Sequence, residues 1–292
     1  MSLTQPAEAL KTVVSHDLIP AGAWAEADVY ERELAQIFAR FWMPVGRVEE
    51  LTDTGGYFTW ERTRIPTVMI RSVDQRIRGF YNSCRHRGAP VVRTPTGRGR
   101  AFRCQYHSWT YDTFGKLMSI PDERDFGNID RCAHSLVSLR LAELGGWLWI
   151  DQSGKAPELA EALGALHLWL EERSASHFGG RHTVAVDANW KSVVAHLSAA
   201  TGVDAPHFPN IFFSDEDGGL RMFAAWPRDE RTTEVELVVC LEEGGDAPGA
   251  EAMEQMLRDT LSGLSPSVEP GPVQSFAKGF AGQWSRAMSA DL

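Results

Sequence analysis

Cysteine is scarce in this 292-residue chain: four thiols, Cys84, Cys104, Cys132 and Cys240. They are too few and too scattered for the disulfide framework of a small secreted domain. No apolar stretch approaches the roughly 20 residues that a membrane helix needs. Residues Met1 to Ala23 lack a basic start followed by an apolar core, so no secretory signal is expected and the chain reads as cytoplasmic. Positive charge is short as well. With 29 Lys and Arg against 39 Asp and Glu the formal net charge is −10, which argues against nucleic acid as a partner. Internal repeats and low-complexity tracts are missing. Gly97-Arg98-Gly99 is followed by no Gly-Lys-Ser/Thr, so it is not a phosphate loop and reads as a hairpin tip.

What is present is the composition of a globular protein, 43% hydrophobic and 23% charged, long enough for two modest domains. Residues 28–42 place Tyr30, Leu34, Ile37, Phe38 and Phe41 at helical spacing, which predicts an amphipathic helix. From Met43 to about Ile150 the texture changes to short strand-like runs broken by glycine, the pattern of a small antiparallel β domain. The rest mixes helices and strands. The expected organisation is α+β: an N-terminal helical segment (1–43), a β domain (44–155) and a second α+β domain (156–292). Trp147-Leu148-Trp149 reads as a half-buried strand, and Cys132 and Cys240 as buried thiols.

The central signal is Cys84-Arg85-His86, seventeen residues, then Cys104-Gln105-Tyr106-His107. Two Cys/His pairs on separate loops can give two thiolates to one iron and two neutral imidazoles to another, the ligand set of a Rieske [2Fe–2S] centre. A Cys₂His₂ zinc site is the alternative. Zinc sites usually begin with cysteines two to four residues apart, and the one-residue gap of Cys84-x-His86 suits them poorly. Gly88, Pro90, Gly97 and Gly99 supply the tight turns that loops around a cluster need.

The blocks Asn82-Ser83-Cys84-Arg85-His86-Arg87-Gly88-Ala89 and Cys104-Gln105-Tyr106-His107-Ser108-Trp109-Thr110-Tyr111-Asp112 resemble the α subunits of Rieske non-haem iron ring-hydroxylating oxygenases. The likeness runs from about Ile19 to Ile150, through Ile37–Trp42 and Gly145-Gly146-Trp147. Gln105 stands where that family usually has Pro, and Ser108 where it has Gly. The resemblance implies a Rieske [2Fe–2S] domain followed by a helix-grip α+β domain, here shortened. Respiratory Rieske proteins carry a loop-bracing disulfide and a cluster-bonding serine. This chain has Ala89 and Tyr106 in place of those cysteines and Trp109 in place of that serine. Fewer hydrogen bonds to a cluster lower its potential, so a low-potential centre is expected, and a midpoint well above zero would refute that.

In the resembled family the second domain holds a mononuclear iron on two histidines and a carboxylate. The family pattern opens with Asn-Trp-Lys, matched by Asn189-Trp190-Lys191. Counting onward, Ala195-His196 replaces Glu-Asn, Ala199 replaces the Asp that links one subunit's cluster to its neighbour's iron, and Thr201-Gly202 replaces Tyr-His. His207 falls on the second histidine. Only 85 residues follow it, and Pro266 lies near where the third ligand belongs, with Asp259 and Asp291 as other carboxylates. A substitute iron site could be drawn from His196, Asp204 and His207. The expected function is a Rieske electron-transfer subunit of an oxygenase system. It would take electrons from a ferredoxin or flavin reductase and pass them to a catalytic paralogue, within a trimer or hexamer. The alternative is a self-sufficient oxygenase with a non-standard Fe(II) site. A third reading keeps the cluster only as a structural staple.

Overall fold

The computed structural model describes residues 19, 21–24, 26–203, 207–216, 219–264 and 277–289. The chain forms two compact units. One is Trp42–Ala162; the other joins Met1–Phe41 to Leu163–Leu292.

The first unit is almost wholly antiparallel β, as its short alternating runs predict. Its strands are β1 (Met43–Arg47), β2 (Gly56–Trp60), β3 (Thr67–Arg71), β4 (Ile77–Tyr81), β5 (Thr96–Arg98), β6 (Ala101–Arg103), β7 (Thr110–Asp112), β8 (Leu117–Ser119), β9 (Arg140–Leu144) and β10 (Trp147–Asp151). They form three sheets, ordered β1-β10-β9, β4-β3-β2-β5 and β6-β7-β8. Every residue of β10 is buried, so Trp147 and Trp149 do not alternate with an exposed partner as expected. The strand is central in its sheet, between β1 and β9, and both of its faces are covered. The stretch at Gly97 is not a hairpin tip either. β5 turns away from β6 to pair with β2, Gly97 opposite Tyr57.

The second unit contains α1 (Ala27–Glu33), which widens into a π turn over Leu34–Phe38, α2 (Ala165–Glu172), β11 (His177–Val186), α3 (Trp190–Thr201), β12 (Ile211–Glu216), β13 (Gly219–Pro227), β14 (Thr233–Leu241), α4 (Ala250–Thr260) and α5 (Ala277–Ser289). Its sheet runs β11-β14-β13-β12, antiparallel throughout, which completes the expected α+β class. Asn189 starts α3 as its N-cap, its Oδ1 accepting from the Lys191 backbone N–H at 3.0 Å.

The N-terminal helix does not stand alone, so the contacts divide the chain differently from 1–43, 44–155 and 156–292. The reason is Glu33. Its buried carboxylate accepts from Lys191 Nζ (2.7 Å), Trp190 Nε1 (2.7 Å) and Trp284 Nε1 (2.7 Å), which ties α1 to α3 and α5. Both charges of the Glu33–Lys191 pair are 1% exposed, so each depends on the other. No helix among the described residues is long and apolar enough to cross a membrane.

Candidate metal centre

Two loops of the β unit carry the four sequence-predicted residues, and they are folded alike. In the first, the Cys84 N–H donates to the Ala89 carbonyl (2.7 Å) and the Gly88 N–H to the Cys84 carbonyl (2.8 Å). In the second, Cys104 N–H donates to the Trp109 carbonyl (2.9 Å) and Ser108 N–H to the Cys104 carbonyl (2.9 Å). Each loop needs a left-handed residue four places after its cysteine: Gly88 at φ 76° and Ser108 at φ 58°. Glycine takes that conformation freely, whereas a Cβ resists it. Ser108 accepts the strain, and its Oγ accepts from Arg103 Nη2 at 3.0 Å.

Neighbouring side chains fix these loops to the sheets. Asn82, wholly buried at the end of β4, accepts from the N–H groups of Val91 (2.9 Å) and Val92 (3.0 Å) and donates to the Val92 carbonyl (2.7 Å). Asp112 closes the β7–β8 turn by accepting from the N–H groups of Phe114 and Lys116, both at 2.9 Å. Tyr111, on β7, is wholly buried. Its hydroxyl oxygen accepts from Arg85 N–H (3.1 Å), which leaves its proton for Cys84 Sγ at 3.3 Å. Burial and the neighbouring Cys84 raise the Tyr111 pKa, so it stays a donor. Asn82 and Tyr111 lie inside the two motif blocks, and only the fold shows what each of them holds.

Cys84 and Cys104 are each 2% exposed and are not joined to each other. Burial pushes the Cys84 thiol up, Tyr111 and the His86 backbone pull it back, and the nearby Cys104 raises it again. Such a thiol loses its proton readily only to a cation that takes the proton's place. The imidazoles face each other, Nδ1 to Nδ1, at 3.1 Å. With metal–nitrogen bonds of about 2.0–2.1 Å, two nitrogens on one ion lie about 2.9–3.4 Å apart between right-angle and tetrahedral geometry. Burial first, then His107 and Arg87, lowers the His86 pKa, which keeps the ring in the neutral form that a metal accepts. Trp109 stacks flat on His86 (5.0 Å, 12°), and Phe126 meets both rings edge-on. His134 meets Trp109 edge-on at 5.8 Å.

Among the described residues no three His, Cys, Asp or Glu side chains gather around a single ion. The four candidates fall instead into a thiol pair and an imidazole pair. That arrangement disfavours tetrahedral zinc and fits a two-iron cluster with two thiolates on one iron and two imidazoles on the other.

Of the sequence-predicted iron residues, His196 and His207 are described, and neither joins a group of three possible metal ligands among the described residues. His196 Nε2 lies 2.9 Å from the Thr260 carbonyl, so it donates there and ties α3 to α4. His207 pairs through its backbone with Ile211. Gly202 is the left-handed C-cap that ends α3, at φ 66°. Asp259 accepts from Gln255 Nε2 at 2.7 Å. Asp204, Pro266 and Asp291 lie outside the described residues. Of the other two cysteines Cys240 is buried as expected, but Cys132 is exposed, in a turn where Asp130 accepts from its N–H.

Residues 41–130 match the Rieske [2Fe–2S] domain family, the class that the two loops already define. Over about three fifths of its length the chain is similar to α subunits of ring-hydroxylating Rieske oxygenases. It is 30% identical over 201 residues to a biphenyl dioxygenase α subunit of Metapseudomonas furukawaii, covering 63% of this chain and 44% of that protein. To the carnitine monooxygenase oxygenase subunit of Escherichia coli K12 it is 30% identical over 183 residues, covering 60% of this chain and 48% of that one. The chain thus spans less than half the length of these curated relatives. In fold it is similar to a quaternary ammonium Rieske monooxygenase solved with γ-butyrobetaine: TM-score 0.78, 18% identity, over 93% of this chain and 95% of that one.

Proposed function

We propose that this chain is a Rieske electron-transfer subunit of an oxygenase system, with Cys84, His86, Cys104 and His107 as the ligands of its [2Fe–2S] cluster. A cluster held there supplies a one-electron site. The two buried thiols keep water from the sulfur side. His86 and His107 form its outward edge, His107 exposed and His86 half-buried, and give an electron its shortest way in. Trp109 and Phe126 fix the plane of His86, while Tyr111 donates toward Cys84. Ferredoxin or a flavin reductase would be the donor. The acceptor would be a catalytic paralogue, or another copy of this chain in a trimer or hexamer. No two of the four cysteines are joined, which suits a reducing, cytoplasmic compartment.

The observation that favours transfer over oxygenation is His196. Its Nε2 is committed to the Thr260 carbonyl, while α3 ends on a left-handed glycine where the family carries a histidine. The second reading, a self-sufficient oxygenase, is favoured by the relatives, which are named as dioxygenase and monooxygenase subunits. Iron and sulfide analysis of the purified chain separates the two. About two irons per chain support electron transfer and about three support an added mononuclear iron, following the ligand counts. A chain that oxygenated a substrate without a partner would overturn the first reading.

A further inference from the structure

The chain is acidic, yet residues 82–111 contain six arginines and no Asp or Glu. These are Arg85, Arg87, Arg93, Arg98, Arg100 and Arg103, and all six are exposed. Arg98 pairs with Asp53 at 3.2 Å. The other five make no ion pair with a carboxylate among the described residues. Unneutralised arginines crowded into a −10 chain repel one another, and packing gives no reason for them, since their guanidinium groups lie at the surface.

Their placement is informative. Arg85 and Arg87 flank His86. Arg93 lies over the ring of Tyr106, 5.0 Å from its centroid, and Tyr106 precedes His107. Arg103 bonds Ser108, which follows His107. Tyr106 is 63% exposed, a large aromatic side chain in water beside the imidazole pair. The adjoining loop, 121–134, differs in sign. There Glu123 is engaged by Arg131 at 2.5 Å, while Asp122, Asp125 and Asp130 are exposed and outnumber Arg124, the other exposed cation among them. The rim around the imidazoles is therefore polarised, basic along one loop pair and acidic along the next.

We infer that this arginine rim, with Tyr106 as its aromatic anchor, is the docking surface for an acidic one-electron donor protein. The inference rests on the electron-transfer reading above. Charge complementarity carries it: a negative patch is drawn to the arginines, and the neighbouring acidic loop turns it away from a second register. A partner seated there meets the imidazole edges directly. An aromatic ring and arginines are also the residue types that dominate binding energy at protein interfaces.

The test uses the cluster-loaded chain and, as probe, an acidic [2Fe–2S] ferredoxin kept reduced by its own reductase, with cluster bleaching followed by stopped flow. The rate should fall steeply as salt rises. Arg87→Gln/Arg93→Gln/Arg103→Gln should slow it at least tenfold at low salt and flatten the salt dependence, within the 10–10³-fold range of electrostatic steering. Tyr106→Ala should slow it with the salt dependence kept. A rate indifferent to salt, or a triple variant as fast as the parent, would overturn the inference. So would arginine-dependent self-association at low salt, which would assign the rim to a second copy. Failure of the electron-transfer reading looks different: the parent chain would then give no Rieske-type EPR signal with any reductant, or would oxygenate a substrate without a partner.

Discussion

Replacing Tyr111 by Phe removes one hydroxyl from beside Cys84 and should lower the midpoint potential of the cluster. The hydroxyl lies 3.3 Å from Cys84 Sγ, on a ring that is wholly buried. A hydrogen bond to a charged group is worth about 1.5–3 kcal/mol. The donor is present in both redox states, so only the part of that energy that grows with the extra electron affects the potential. Taking that part as about a third to a half gives roughly 0.5–1.5 kcal/mol. For a one-electron couple, 59 mV corresponds to a tenfold change in equilibrium constant, so the expected fall is about 20–60 mV. The assay is a redox titration followed by EPR on parent and variant at one pH. Arg85 N–H also loses its acceptor, which costs about 1 kcal/mol of stability whatever the redox state. Thermal unfolding reads that loss separately. A potential unchanged within about 10 mV, or raised, in a variant with an intact spectrum would refute the reasoning.

The buried pair makes a second prediction: Lys191→Met strands the Glu33 carboxylate and should cost about 3–5 kcal/mol, seen as a lower unfolding midpoint in denaturant. Adding Glu33→Leu should recover only part of that, because the indole N–H groups of Trp190 and Trp284 then have no acceptor. Ser108→Gly relieves a left-handed Cβ and should stabilise by about 0.5–1 kcal/mol in chemical denaturation. Gly202→Ala should destabilise by about 1 kcal/mol for the converse reason. Gly202→His should leave the iron content of the chain near two, since it restores a residue type but sets it in the helix-ending conformation; a third iron would count against the proposed function. His196→Ala should also leave iron content unchanged while loosening α3 from α4.

How much of this was legible in the sequence follows from where each constraint lies along the chain. Cys84, His86, Cys104 and His107 could be read because a cluster's donor set restricts residue types within each loop, and local spacing is what a sequence displays. The short strands of the β unit were legible from their spacing, although Trp147-Leu148-Trp149 misled. Alternation tells one face from two only when one face is wet, and β10 has neither face in water. The membership of α1 in the second unit was out of reach. Glu33 meets Lys191 and Trp284 across 158 and 251 positions, and its side chain looks like one more surface carboxylate of an amphipathic helix. Residue type alone predicts a buried Cys132, but the turn at Asp130 leaves it exposed.

The equivalence of the two candidate loops was hidden for a different reason. Both close with the same pair of backbone bonds and a left-handed residue at the same place, but only one of the two residues is the glycine by which such a position is recognised. Ser108 therefore read as a small departure from a family pattern, when the backbone marks it as the counterpart of Gly88. Its hydroxyl holds Arg103, one of the arginines of the exposed rim. A glycine there would relax the loop and release that guanidinium. Local strain and the placement of surface charge thus meet in one residue, and Ser108→Gly should raise stability while slowing reduction by an acidic donor. A variant that became more stable with no change in donor kinetics would separate Arg103 from docking.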